Sequence, residues 1–175
     1  GVNTEYVRPS HLASDTAGMF EVVINALDWL DKNKQMQPEI VLLLQPTSPL
    51  RNADDIRKIL SLLESSGHQS AISVHEMTEH PLECIQSNNE SWNNLIERSG
   101  RLIRRQDYEG KYFFINGAIY AFTPEFLHKE KKFAKPGTST ALYQMPPHRG
   151  VDIDTFEDLY RAEAYLAHPK LNIII

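Results

Sequence analysis

The sequence predicts an α/β fold, and three observations carry that expectation. A short, continuously apolar run at 40–44 follows an amphipathic helical pattern, a second helical pattern follows it, and another short apolar run at 71–74 comes next. A five-residue apolar run is the mark of a strand covered on both faces, as in a parallel sheet. A strand, a helix and a strand in this order require a crossover, which is right-handed in nearly all folds, so the sheet is expected to be mostly parallel.

The first helix is predicted over 19–30, where Met19, Val23, Ala26 and Leu30 recur at helical spacing with Phe20 and Leu27 beside them. Ser14 or Asp15 is in place to cap it. Pro38 ends that region, and the loop Gln45-Pro46-Thr47-Ser48-Pro49-Leu50-Arg51 leaves the carboxyl end of the first strand. The second helix has Asn52 as its cap, Asp54 and Asp55 in the first turn, Ile56, Ile59, Leu60 and Leu63 as its apolar stripe, and Gly67 as its stop. Residues 76–112 are polar and too long for an ordinary connection, so they form an excursion with a job of its own. Regular structure resumes at 117–122, Thr123-Pro124 reads as an N-cap followed by proline at the first helical position, and Thr155 with Asp158 approximates a capping box for a last helix.

Composition narrows the function. The chain has 175 residues, 41% hydrophobic and 23% charged, which fits one globular domain over 1–175. A net charge of −5 lacks the basic surplus that nonspecific nucleic-acid binding needs. Cys84 is the only cysteine, so no intramolecular disulfide forms, and a buried apolar role suits it better than a reactive one. The apolar runs are far below membrane-spanning length. A soluble, cytoplasmic protein with no nucleic-acid or membrane partner is expected.

Two segments carry chemistry. The loop from Gln45 to Arg51 offers an amide, two hydroxyls and a guanidinium at the end of a strand, where open α/β sheets bind ligands; the alternative is an ordinary turn made by two prolines. In Asp152-Ile153-Asp154, an extended backbone would send both carboxylates to one side and Ile153 into the core. Such a pair suits a hard divalent cation, magnesium above all, since it takes oxygen ligands and bridges to phosphates; the alternative is a solvated acidic turn before a helix. An aspartyl-phosphatase signature fails because Phe156 stands at its threonine position. His75 and His80 do not match a zinc-protease spacing. Arg101, Arg104 and Arg105 either grip a carboxylate or phosphate or form a solvated face. No Walker, dinucleotide-binding, hydrolase-elbow or C-x-x-C motif occurs.

Taken in order, four segments resemble the acylneuraminate cytidylyltransferases, the family that includes the enzymes for sialic, legionaminic and pseudaminic acids. They are the stretch from Arg8-Pro9-Ser10-His11 to Ala17, the string from Leu43 through Gln45 to Arg51, Asn116-Gly117-Ala118-Ile119-Tyr120, and Asp152-Ile153-Asp154-Thr155 with Asp158-Leu159. The resemblance implies a Rossmann-like, three-layer nucleotidyltransferase in which the anomeric hydroxyl of a nonulosonate attacks the α-phosphate of CTP and pyrophosphate leaves. It implies Mg2+ held by Asp152 and Asp154 as the catalytic carboxylates, Arg8 near the nucleotide, Gln45, Asn116 and Tyr120 lining the sugar pocket, and Arg105 at the sugar carboxylate. It also implies that 76–112 is a dimerisation arm of a homodimer. In the family a phosphate-cradling loop precedes the first matched segment, so the chain is expected to be truncated and, by itself, inactive or nearly so. Phe114 replaces an arginine common in relatives and Glu83 replaces a lysine common in the sialic-acid enzymes, which points toward legionaminate or pseudaminate as acceptor. A 3-deoxy-manno-octulosonate cytidylyltransferase is the neighbouring alternative, against which the Gln45 and Asn116 strings speak. A noncatalytic dimerising or sugar-binding remnant is the alternative from another class.

Overall fold

A computed structural model describes residues 5–14, 16–88, 90–97 and 110–168. Among the described residues there are four α-helices, α1 (Met19–Lys34), α2 (Ala53–Ser66), α3 (Pro124–Glu130) and α4 (Phe156–Ala167), and six strands. These are β1 (Val41–Leu43), β2 (Ser70–Glu76), β3 (Ile85–Ser87), β4 (Trp92–Asn94), β5 (Phe113–Phe122) and β6 (Thr140–Gln144). The main sheet has the order β1-β5-β2-β6, and β3 and β4 form a separate antiparallel pair.

The sheet is mixed. β5 runs antiparallel to β1, with Leu42 opposite Ala121, and it runs against β2 as well, since Thr123 N–H donates to Gln69 O and Met77 N–H to Tyr112 O. β6 runs with β2, because Ser70 Oγ meets Thr140 Oγ1 and Met145 N–H donates to Val74 O further along both strands. Three strands therefore share one direction, as the crossover argument requires, and β5 is the reversed one.

The chain divides into two units, Gly1–Leu43 with Lys58–Ile72 and Tyr120–Ala141, and Leu44–Arg57 with Ser73–Ile119 and Leu142–Ile175. In the first, α1 begins at Gly18 and not at a polar cap: Gly18 makes no side-chain cap bond, Ser14 Oγ lies against Thr16 Oγ1, and Asp15 is outside the described residues. α1 stops where Gln35 turns left-handed at φ 50°. Its apolar stripe packs Val23 against Phe122, Phe126 and Leu127, with Met19, Leu27 and Val41 around them. α3 follows its predicted start, Thr123 accepting from Phe126 N–H ahead of Pro124. β1 departs from expectation. It is three residues long and half-buried, not covered on both faces, because it is the outermost strand of the described sheet and borders an apolar groove of about 400 Å³.

In the second unit the first turn of α2 is capped from both sides. Asn52 Oδ1 accepts from the N–H groups of Asp54 and Asp55, and Asp55 Oδ2 accepts from Asn52 N–H. The 76–112 excursion contains the β3–β4 hairpin, whose six strand residues are all exposed. Cys84 is half-buried, its thiol near His80 O, because it sits at the hairpin's foot and not in a core. The capping box at α4 forms as predicted. No helix among the described residues is long and apolar enough to cross a membrane.

Phe122 has no exposed surface and sits at the centre of the first unit's core. Phe122→Ala is expected to cost about 3–5 kcal/mol of stability, the usual range for emptying a buried aromatic site. Urea unfolding measures this, with the exposed Phe156→Ala as a control expected to change stability by less than about 0.5 kcal/mol.

Candidate functional site

Three of the motif segments meet in the second unit. The loop after β1 closes on itself: Ser48 N–H donates to Gln45 O, and Arg51 Nη1 donates to the carbonyls of Gln45 and Ser48. The Arg51 guanidinium thus clasps its own loop and also reaches Ala118 O at 3.4 Å; partial burial lowers its pKa. The loop is fastened to the D-I-D segment by Ile153 N–H, which donates to Thr47 O at 2.8 Å.

The third segment enters through Gly117. Its φ is +71°, and a Cβ there would lie 2.5 Å from Gln45 Oε1 and 3.8 Å from Asp152 Oδ2. Only a residue without a side chain lets Gln45 Oε1 approach the backbone so closely, while Asp152 Oδ2 lies at ordinary contact distance from the same point. Asn116 holds this stretch of β5 by its side chain. It is 2% exposed, and its Oδ1 accepts from Ser73 Oγ at 2.6 Å and from Ala118 N–H at 3.2 Å. Ser73 Oγ in turn accepts from Ile119 N–H at 2.8 Å, so a serine between Ile72 and Val74 holds β5 around Gly117.

The two aspartates differ in setting. Asp152 is half-buried, and its Oδ1 is buried without a hydrogen-bond partner in the structure. Asp154 is exposed, and Ile153 between them is half-buried and not a core residue, because its N–H binds it to the loop at the domain surface. A carboxylate oxygen left unpaired below the surface is costly unless a ligand completes it. No group of three or more metal-ligating side chains occurs among the described residues. Magnesium does not require one, since it binds through one or two carboxylates and keeps waters and substrate phosphates as its other ligands. The donor set of Asp152, Asp154 and the Gln45 amide oxygen is all hard oxygen and fits that ion.

His75, at the end of β2, also faces this region. A Cβ on Gly150 would lie 2.6 Å from Asn116 Nδ2 and 2.9 Å from His75 Nδ1, so glycine again permits a close approach. The His75 ring lies 5.5 Å from that of Phe114, which is 56% exposed. Burial pulls the His75 pKa below its ordinary value, and the charge of Arg161 adds to the shift.

Of the other residues singled out from sequence, Arg8 and Tyr120 belong to the first unit. Arg8 is exposed and lines the apolar groove beside β1. Tyr120 is half-buried against the Phe133 ring at 5.7 Å. Arg105, with Arg101 and Arg104, lies outside the described residues. Glu83 is exposed. Sequence reasoning missed Ser73, His75, Tyr143 and Arg149; a lone serine inside Ala71-Ile72-Ser73-Val74 was the one local sign of them.

No family model matches the chain. Individual relatives do. It is 30% identical over 89% of its length to the CMP-N,N'-diacetyllegionaminic acid synthase of Legionella pneumophila. The relatives it matches are cytidylyltransferases for sialic, legionaminic and pseudaminic acids. It is also 27% identical to an N-acylneuraminate cytidylyltransferase of Streptococcus agalactiae and 26% identical to the pseudaminic acid cytidylyltransferase of Campylobacter jejuni, each over 91% of its length. The chain spans 65% of the Legionella synthase and 37% of the streptococcal enzyme. The segments that converge at Gly117 are those on which the cytidylyltransferase resemblance rests.

Gly117→Ala should lose more stability than Gly67→Ala in urea unfolding. Both glycines are left-handed and carry the same backbone cost of about 1–2 kcal/mol for an L-residue, but nothing lies within 4 Å of a Cβ at Gly67. Equal losses would show that Gln45 does not press on Gly117. A second expectation concerns pH. Because the folded His75 pKa lies below the unfolded value of 6.5, the unfolded chain takes up the proton first as pH falls. Stability is then full above the unfolded pKa and declines as pH drops through the folded one, so His75→Gln should flatten the loss between about pH 7 and about pH 5. Thermal melts across that range read the slope; burial also lowers the pKa of His148, which leaves a residual slope.

Proposed function

We propose that this chain forms the sugar-side and metal-side part of a cytidylyltransferase that transfers CMP from CTP to a nonulosonate, with release of pyrophosphate. The observation that carries the reading is the meeting of Gln45 and Asp152 at Gly117, three separated motif segments brought to one point in the order in which the relatives' resemblance runs. Asp152 and Asp154, with the Gln45 amide oxygen nearby, are the residues that would hold Mg2+. When bound, that ion supplies charge neutralisation at the phosphates, which in most phosphoryl-type transfers lowers the barrier more than any other single effect.

The chain's own groups have distinct tasks in this reading. Asp152 presents an unpaired, partly desolvated oxygen, whose charge acts more strongly than it would in water. The Arg51 clasp and the bond from Ile153 to Thr47 hold the loop still, so that Gln45 meets a substrate preorganised. Asn116 supports the sugar pocket through β5, and the family resemblance assigns acceptor-side roles to Tyr120 and Arg105. Arg8 approaches the nucleotide. The β3–β4 hairpin, with Ile85 and Trp92 exposed, suits self-association, and a homodimer is part of the proposal. Phe114 beside His75 gives the acceptor side an apolar and uncharged character, which favours legionaminate or pseudaminate over N-acetylneuraminate. A single cysteine suits a cytoplasmic location.

The test uses protein expressed from the complete coding sequence, with pyrophosphate release followed on CTP, Mg2+ and each of the three sugars. Release with at least one of them is expected, with the highest kcat/KM on legionaminate or pseudaminate. Asp152→Asn and Asp154→Asn should each slow turnover about a hundredfold, on the order of 3 kcal/mol in the barrier, with the fold intact by circular dichroism. No release with any sugar, or an unchanged rate in both variants, would sink the reading.

A further inference from the structure

We propose that Asp55, Tyr143 and Arg149 form a buried positioning network that sets where Asp152 stands relative to Gln45. The inference rests on the reading of Asp152 as a substrate-side carboxylate and deepens it. Asp55, in the first turn of α2, has no exposed surface, yet it lies outside every motif on which the family resemblance stands. Its Oδ1 accepts from Tyr143 Oη at 2.9 Å and from Arg149 Nη2 at 3.0 Å, while Oδ2 accepts from Asn52 N–H at 2.9 Å. The carboxylate thus joins the helix that leaves the Gln45 loop to β6 and to the segment that leads into Asp152.

That segment is pinned on both sides of Asp152. Ahead of it, Arg149 is held by Asp55, and Gly150 packs against Asn116 and His75 with no room for a Cβ. After it, Ile153 N–H is bound to Thr47 O. Asp152 Oδ1 has no partner of its own in the structure, so the direction of its carboxylate is inherited from these anchors. A buried ion pair adds little net stability over apolar side chains of the same volume, whereas its hydrogen bonds admit one geometry. The consequence of this triad is therefore orientation. The environment agrees: burial, reinforced by the Asp55 carboxylate, pushes the Tyr143 pKa up to about 12, which keeps its hydroxyl a donor to Asp55 at any physiological pH.

The test compares Asp55→Asn, Arg149→Lys and the apolar double variant Asp55→Leu with Arg149→Met, all in protein from the complete coding sequence. Asp55→Asn should lower kcat about tenfold to a hundredfold while KM for CTP stays within about twofold, because misplacement of a reacting group acts mainly on turnover. Arg149→Lys, which keeps the charge, should lose less kcat than Asp55→Asn does. The double variant removes the ion pair without stranding a charge, although Tyr143 Oη and Asn52 N–H lose their acceptor, so it should fold with a lowered melting temperature and remain slow. Hydrogen exchange gives a readout that needs no turnover: the Ile153 amide should exchange about tenfold faster or more in the double variant, with the Leu127 amide of α3 unchanged. A double variant with wild-type kcat and wild-type Ile153 exchange would overturn the proposal, even if Asp55→Asn fails to fold. If the wild-type enzyme makes no CMP-sugar, the functional reading falls, and Ile153 exchange alone decides: acceleration upholds the network, and no change overturns it.

Discussion

A left-handed glycine at position 117 is the constraint on which the site depends. At φ +71° and without a Cβ, Gly117 lets Gln45 Oε1 and Asp152 Oδ2 approach the backbone of β5 from two different segments. An L-residue there would be strained by its own conformation and would push Gln45 away. This stretch of β5 is then kept in place by buried polar groups, Asn116 bonded to Ser73 and Ala118, and Ser73 bonded back to Ile119. Buried polar groups carry a desolvation cost that is offset only when each finds its partner, so this arrangement has few alternatives.

The other contacts around the site divide between those that complete one another and those left open. Arg51 satisfies loop carbonyls, Ile153 satisfies Thr47, and Asp55 takes Tyr143, Arg149 and Asn52. Asp152 Oδ1 and His75 Nδ1 are buried and unpaired in the structure. Open polar atoms that sit next to an ordered framework are where a ligand gains most, because the protein has already ordered what surrounds them.

The first unit contributes stability of an ordinary kind. α1 and α3 pack Val23, Phe126 and Leu127 around Phe122, an apolar cluster that asks for volume and shape and no particular chemistry. Its one irregular feature is β1, half-buried beside an apolar groove that Arg8 also lines.

The sequence by itself determined the starts of α2, α3 and α4 and the end of α2. The caps at Asn52, Thr123 and Thr155 and the stop at Gly67 are local signals, set by groups within a few residues of one another, and each forms as read. It also made the motif segments legible, since Gln45, Gly117 and Asp152 stand in strings specific enough to mark a family. Tertiary structure alone decided the rest. The place of β5 between β1 and β2, the half-burial of β1, and the start of α1 at Gly18 depend on what packs alongside, not on the residues' own propensities. The same holds for Asp55. In the sequence it is one of two acidic residues that suit a helix dipole, and Asp54 looks no different. Only the approach of Tyr143 and Arg149, far along the chain, makes one of them the buried acceptor of a network and leaves the other exposed. Long-range pairing of polar groups has no local signature, because either partner taken alone is an ordinary surface residue.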